Sequence, residues 1–177
     1  MLTFKENIAI DEKVKRILEK AGWYPGRREN IDEVINYFKK HGIALSEKAK
    51  DFISEYYKIM PYWFFNTDKT DRGGDFEFMF FPYPSSYKIN VFDYLYDDLD
   101  GALKSEEYKA VEKYDENICM VGEIGHYYPA RVWIGNSGKL ICTHDYEDEV
   151  LIFENVFELI EYEIAALDIT SVSYRGV

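Results

Sequence analysis

Residues 130–134, Ala130-Arg131-Val132-Trp133-Ile134, and residues 139–143, Lys139-Leu140-Ile141-Cys142-Thr143, face each other across Gly135-Asn136-Ser137-Gly138. Two short runs of β-branched and aromatic residues on either side of a Gly-rich polar tetrad predict an antiparallel hairpin. Just before it, Ile118 to Ile124 is another apolar run of strand length. Further back, Tyr62 to Phe65 is strand-like, and Asp75 to Phe81 alternates until it becomes wholly apolar. Thr67 to Gly74, with Arg72-Gly73-Gly74, reads as the polar turn between those two. Tyr87 to Val91 can add a further strand. Residues 93–115 are polar and helix-prone, with Leu95, Leu99, Leu103, Tyr108 and Val111 as sparse apolar anchors. A closing helix is expected from about Glu154 to Leu167, its inner side formed by Val156, Phe157, Ile160, Ile164 and Leu167.

The first third has a different period. Asp11 stands where it can cap a helix with Val14, Ile17, Leu18 and Ala21 on one face and Gly22 at its end. Asn30 precedes Glu33 by three residues, like a capping box, and Ile31, Val34, Ile35 and Phe38 then form an apolar stripe stopped by Gly42. Ser46 opens a third helix with Ala49, Phe52, Ile53, Tyr56 and Met60 at helical spacing, and Pro61 lies beyond it. Three amphipathic helices within roughly 50 residues must cover a shared apolar layer. The expected class is α+β: an antiparallel meander with N-terminal helices and a C-terminal helix packed on one face.

The 177-residue chain fits one domain, expected to run over residues 1–177 without repeat or linker. Aromatic residues reach 18%, with 16 Tyr, so many phenols must sit with the ring buried and the hydroxyl wet, as contact surfaces have them. No run approaches the ~20 apolar residues of a membrane helix, and Met1 to Asn7 lacks the basic-then-apolar pattern of a secretory signal. Cys119 and Cys142, the only cysteines, lie within apolar strands and read as small core residues of a reducing compartment. A cytoplasmic location is expected.

Charge is unevenly placed. Residues 1–60 carry 12 Lys and Arg against 10 Asp and Glu, whereas residues 61–177 carry 9 against 23, for a total of −12. The acid gathers at Asp93, Asp97, Asp98 and Asp100, at Glu106 and Glu107, and at Asp145, Glu147, Asp148 and Glu149. Such a chain repels phosphate backbones and attracts basic proteins, so direct nucleic-acid binding is not expected.

Catalytic patterns are sparse. Gly122-Glu123-Ile124-Gly125 lacks the third glycine and the Lys-Ser/Thr of the phosphate loops. Asp93 to Asp100 lacks the ligand spacing, central Gly and terminal Glu of a calcium loop. His126 and His144 lie near strand ends, with Asp145, Glu147 and Glu123 close by in sequence, and a metal or acid–base site could be assembled from those. No cofactor is called for. Neither cysteine has an activating neighbour in sequence.

Ala21-Gly22-Trp23-Tyr24-Pro25-Gly26-Arg27 stands apart. It is a helix stop, an aromatic plug and a Pro-Gly turn leading to a cation pair. Trp23 is expected to be buried where the first helix meets the body, and Arg27 to bond a carboxylate or a helix-end carbonyl. This stretch resembles the opening of the third subgroup of the SUKH superfamily, immunity proteins of bacterial polymorphic toxin systems. At matching distances, Phe52-Ile53-Ser54-Glu55-Tyr56-Tyr57, Val91-Phe92-Asp93 and Val121-Gly122-Glu123-Ile124-Gly125 are similar to later elements of that family, as is Trp133 to Leu140. The resemblance runs from about Val14 to Tyr162, and Tyr62 to Tyr87 departs from it most. Asn136 stands where an Asp is common, and Cys142 where an aromatic is usual.

The resemblance implies a helix-flanked antiparallel sheet and a non-enzymatic protein that binds and neutralises a cognate toxin, often a nuclease or other intracellular effector. The acidity agrees independently, because a nuclease that grips phosphate tends to be basic. The expected contact residues are Asp93, Asp97, Asp98, Asp100, Asp145, Glu147, Asp148 and Glu149, with Tyr96, Tyr127, Tyr128 and Tyr146 as anchors. Two other readings stand beside it. One is a scaffold or regulatory binding protein of the broader SUKH superfamily. The other is a small metal-dependent hydrolase using His126, His144 and Asp145.

Overall fold

The apolar spacing of the first third produces three helices, α1 (Ile10–Lys20), α2 (Asp32–Lys40) and α3 (Glu47–Tyr56). The computed structural model describes residues 2–3, 9–57, 59, 62–67, 74–80, 106–126, 130–144, 149–165 and 169–174, with 2–3, 62–67, 74–80, 126 and 169–174 described by backbone alone. Val14, Ile17 and Leu18 of α1, Val34 and Phe38 of α2, and Ala49 and Ile53 of α3 are buried, as their spacing predicts. Gly22 and Gly42 end the first two helices at φ +105° and +75°, a region closed to most side chains. The caps are less regular than expected. Ser46 does cap α3, its Oγ accepting the Ala49 N–H at 3.0 Å. The cap position of α1 is Ala9, however, and Asp11 lies in the first turn, where its charge still suits the helix dipole. Ile31 occupies the cap position of α2, and Asn30 instead accepts the Asp32 N–H at 2.8 Å.

The strands are β1 (Leu2–Thr3), β2 (Tyr62–Thr67), β3 (Gly74–Phe80), β4 (Cys119–His126), β5 (Ala130–Ile134), β6 (Leu140–Thr143), β7 (Val150–Phe153) and β8 (Ile169–Tyr174). Two further helices, α4 (Glu106–Val111) and α5 (Val156–Ile164), lie between β3 and β4 and between β7 and β8. All pairings are antiparallel and the order is β1-β8-β2-β3-β4-β5-β6-β7. The meander from β2 to β7 is consecutive, and the opening hairpin pairs Ile134 with Leu140 and Val132 with Cys142. Three strands were not expected: β1, β7, which follows the acidic run from Asp145 to Glu149, and β8, which inserts between β1 and β2. Tyr87 to Val91 lies outside the described residues.

Alternation along β4 to β7 defines two faces. Cys119, Ala130, Val132, Ile134, Leu140 and Cys142 share one face, on which α1, α3 and α5 gather, α3 and α5 reaching β4 and α1 packing on α5. Met120, Trp133 and Ile141 share the other face and are also buried. There α4 lies against the sheet: the Tyr108 ring sits 5.9 Å from that of Trp133, and Glu107 is paired with Arg131. The polar segment expected to be merely helix-prone thus covers the second face, so helices occupy both sides. Its Tyr108 and Val111 anchors are enough to do this because the sheet supplies the apolar surface. Val121 is an extra residue between the pairs Met120–Trp133 and Gly122–Val132, a bulge that bends β4 beneath the helices.

Candidate partner-binding surface

The signature loop builds the best-defined polar cluster among the described residues. Trp23 is buried, its ring edge-on to Phe157 of α5 at 5.2 Å, and its Nε1–H donates to Glu55 Oε1 at 2.8 Å. Arg27, also buried, donates from Nη1 to the carbonyl of Glu55 and from Nη2 to that of Tyr57, each at 2.6 Å. These carbonyls lie at the C-terminal end of α3, where a helix runs out of its own backbone donors, so the guanidinium serves as its C-terminal cap. The Glu29 N–H adds a bond to the Ser54 carbonyl at 2.9 Å. The expectation for Arg27 is met by carbonyls, with Glu29 as a carboxylate neighbour at 3.3 Å. Burial raises the Tyr56 phenol far above its ordinary pKa, and the Glu55 carboxylate adds to the rise, while Arg28 and Trp23 oppose it. Every strong contact in this cluster joins one part of the chain to another. Its exposed products are Tyr24 and Arg28.

A second cluster ties the ends of strands together. The Asp115 carboxylate accepts from the Ser137 N–H at 3.0 Å and the Ser137 hydroxyl at 2.6 Å, and Asn136 N–H donates to the Glu116 carbonyl at 3.0 Å. Burial pushes the Asp115 pKa up, but the bonds from Ser137, Glu116 and Asn136 outweigh it and leave the carboxyl below its usual value. This arrangement anchors the β5–β6 turn to the segment after α4.

His144 follows β6, and its Nε2 lies 2.9 Å from Glu163 Oε1 of α5. His126 ends β4, two strands away, roughly 10 Å at ordinary strand spacing. The side chain of His126 and all of Asp145 lie outside the described residues. Among the described residues no group of three His, Cys, Asp or Glu could hold a metal ion. Both thiols are buried: Cys119 is pushed up to about 12, and Cys142 is raised further by burial and by the Glu163 charge. Neither is a thiolate nucleophile at neutral pH. A cleft of 380 Å³ between α2 and α3, lined by Ile35, Ile43, Leu45, Lys39 and Lys50, holds no acid–base pair.

Of the expected contact residues, Glu149 is described: it is exposed immediately before β7. Asp93, Tyr96, Asp97, Asp98, Asp100, Tyr127, Tyr128, Asp145, Tyr146, Glu147 and Asp148 lie outside the described residues. The meander brings the ends of β4 and β6 and the starts of β5 and β7 to one end of the sheet. His126, Ala130, His144 and Val150 therefore lie toward one end of the sheet, whereas β3 ends at the opposite end. Glu55, which holds Trp23, was missed as a site residue, since nothing local marks an acid on α3 as the partner of an indole 32 residues away. No described helix is long and apolar enough to cross a membrane.

The sequence model of the family described as SUKH-3 immunity protein matches residues 10–161, from the start of α1 into α5. Neither the curated proteins nor the solved structures compared with the chain contain a match.

Proposed function

The chain belongs to the SUKH-3 immunity protein family, and from that premise we propose that it binds a cognate toxin protein and neutralises it by direct contact. The observation that carries this reading is the extent of the match, which takes in the signature loop and the meander and runs into the closing helix. In this reading the protein is a non-enzymatic blocker. Its buried Cys119 and Cys142 and its signature cluster belong to the scaffold, and its work is done by surface chemistry. The toxin is basic, in keeping with a net charge of −12. The contact surface draws on the acidic clusters, Asp93 to Asp100 and Asp145 to Glu149, and on neighbouring tyrosines including Tyr96, Tyr127, Tyr128 and Tyr146. Encounter takes place in the cytoplasm, in one domain spanning residues 1–177.

The test is genetic and biochemical together. The gene immediately upstream is expected to encode a secreted protein with a C-terminal toxin domain. Co-expression of that domain with this chain should restore growth, and the two should co-purify. Neither a complex nor rescue would refute the reading.

A further inference from the structure

Strand β7 ends the sheet: among the described residues no strand pairs with its outer side. Its outer backbone N–H and C=O groups therefore form a ladder of the kind that sheet edges normally protect with Lys, Pro, a bulge or a covering element. Val150-Leu151-Ile152-Phe153 has none of these substitutions, and its register with β6 is continuous through all four pairs. Both sides of this edge are apolar and open. Ile152 is 45% exposed on the face shared with Ile141, and Tyr162 of α5 is 50% exposed on the other, its ring 5.4 Å from that of Phe153. Large apolar groups flanking an open ladder on both faces are what an added strand would bury.

The charges at the two ends decide what kind of strand fits. Glu149 is exposed at one end, following Asp145, Glu147 and Asp148 in sequence. At the other end Glu154 bonds Lys139 at 2.6 Å, and its backbone N–H donates to Glu158, leaving two carboxylates against one ammonium. Pairing β7 with β7 of a second copy, in the antiparallel register that aligns the four apolar residues, would set Glu149 against Glu154 at both ends. Like charges directly opposite oppose such pairing, and two chains of charge −12 repel as they approach. A second copy is therefore the wrong occupant.

We propose that the outer edge of β7 is a strand-docking site whose occupant is an extended segment of the toxin, apolar at its centre and flanked by Lys or Arg. The proposal rests on the toxin-binding reading above. Main-chain bonds to the edge would supply affinity, the Ile152 and Tyr162 surfaces would read alternate side chains, and Glu149 and Glu154 would fix register.

The test uses the full chain and, as probe, the C-terminal domain encoded immediately upstream. Ile152→Lys should weaken the complex about tenfold or more, mainly by faster dissociation. Glu149→Lys combined with Glu154→Lys should slow association severalfold at low salt. Melting temperature and circular dichroism report folding. Should Ile152→Lys not fold, Tyr162→Ser on the helix surface carries the same test. A wild-type complex indifferent to all of these changes would overturn the edge site and leave toxin binding standing. No complex with the wild-type chain would overturn both.

Discussion

The Trp23 indole N–H and the Glu55 carboxylate, 2.8 Å apart, join the end of the first helix to the last turn of the third. The ring also meets Phe157 of the closing helix, so one side chain at the end of α1 touches both α3 and α5. Trp23→Ala should destabilise the protein by about 3–5 kcal/mol, the range for removing a large buried aromatic. Trp23→Phe keeps most of the ring and loses the donor, with an expected loss nearer 1–3 kcal/mol. Urea unfolding of both variants checks this. Equal losses would mean that the hydrogen bond, not the packing, holds the loop.

Arg27 caps α3 through two carbonyls at once, and that fork is particular to a guanidinium. Arg27→Met should cost roughly 2–5 kcal/mol, because both carbonyls and Glu29 lose their partner. Arg27→Lys should recover only part of it, since one ammonium cannot reproduce the two parallel bonds. Denaturant midpoints of the three proteins should fall in the order wild type, Lys, Met. A Lys variant as stable as wild type would show that charge alone suffices.

What the sequence disclosed followed from local signals. Ser46 with Ala49, the Gly135 to Gly138 turn, and the stripes of α1 to α3 each carry their evidence within a few residues. The misses have physical reasons. Val150 to Phe153 is only four residues between acids, too short for a period to show. Ser171 to Tyr174 does alternate, but the place of β8 between β1 and β2 depends on a crossover that no local pattern encodes. Asn155 caps α5 by accepting the N–H groups of Phe157 and Glu158, a signal present in sequence and passed over for Glu154. At the candidate surface, composition pointed to acids and tyrosines, while the open edge at Ile152 became visible only with the strand order.

Gly135 is held in a space that admits no side chain. A Cβ there would meet the Asp115 carboxyl and the Glu116 carbonyl oxygen at 2.6 Å. The Gly135 carbonyl also accepts from the Ser46 hydroxyl at 3.0 Å, so displacement would disturb the cap of α3 as well. Gly135→Ala should therefore destabilise by about 1–3 kcal/mol, and Ser46→Ala by about 1–2 kcal/mol. Because both act on one junction, the double variant should lose less than the sum of the two. Strict additivity in thermal or urea unfolding would show the sites to be independent.

Asp115 gives the junction a pH dependence of known sign. Its carboxyl titrates below the ordinary value because bonds from Ser137, Glu116 and Asn136 outweigh the opposing effect of burial. A depressed folded-state pKa contributes stability that is full above the unfolded-state value, about 3.9 for Asp. That contribution is lost as pH falls through the lower folded value. The stability difference between wild type and Asp115→Asn should therefore be constant near neutrality and shrink on acidification. Urea midpoints over a descending pH series measure it. A difference that grows as pH falls would reverse the sign and remove the assignment.

The acidic clusters should act on encounter with the toxin more than on the strength of the final complex. Long-range attraction raises association rates and is screened over roughly 8–10 Å at physiological salt, whereas short-range packing governs dissociation. Replacing Asp97, Asp98 and Asp100 together with Asn should thus slow association with the upstream-encoded domain and flatten its dependence on salt. Tyr128→Ala should leave association nearly unchanged and speed dissociation by a factor corresponding to ~1–2 kcal/mol. Stopped-flow rates over a salt series separate the two effects. An association rate indifferent both to salt and to the three Asn changes would confine these acids to keeping the protein soluble. The contact would then be placed elsewhere, with Tyr62 to Phe81 the next stretch to substitute.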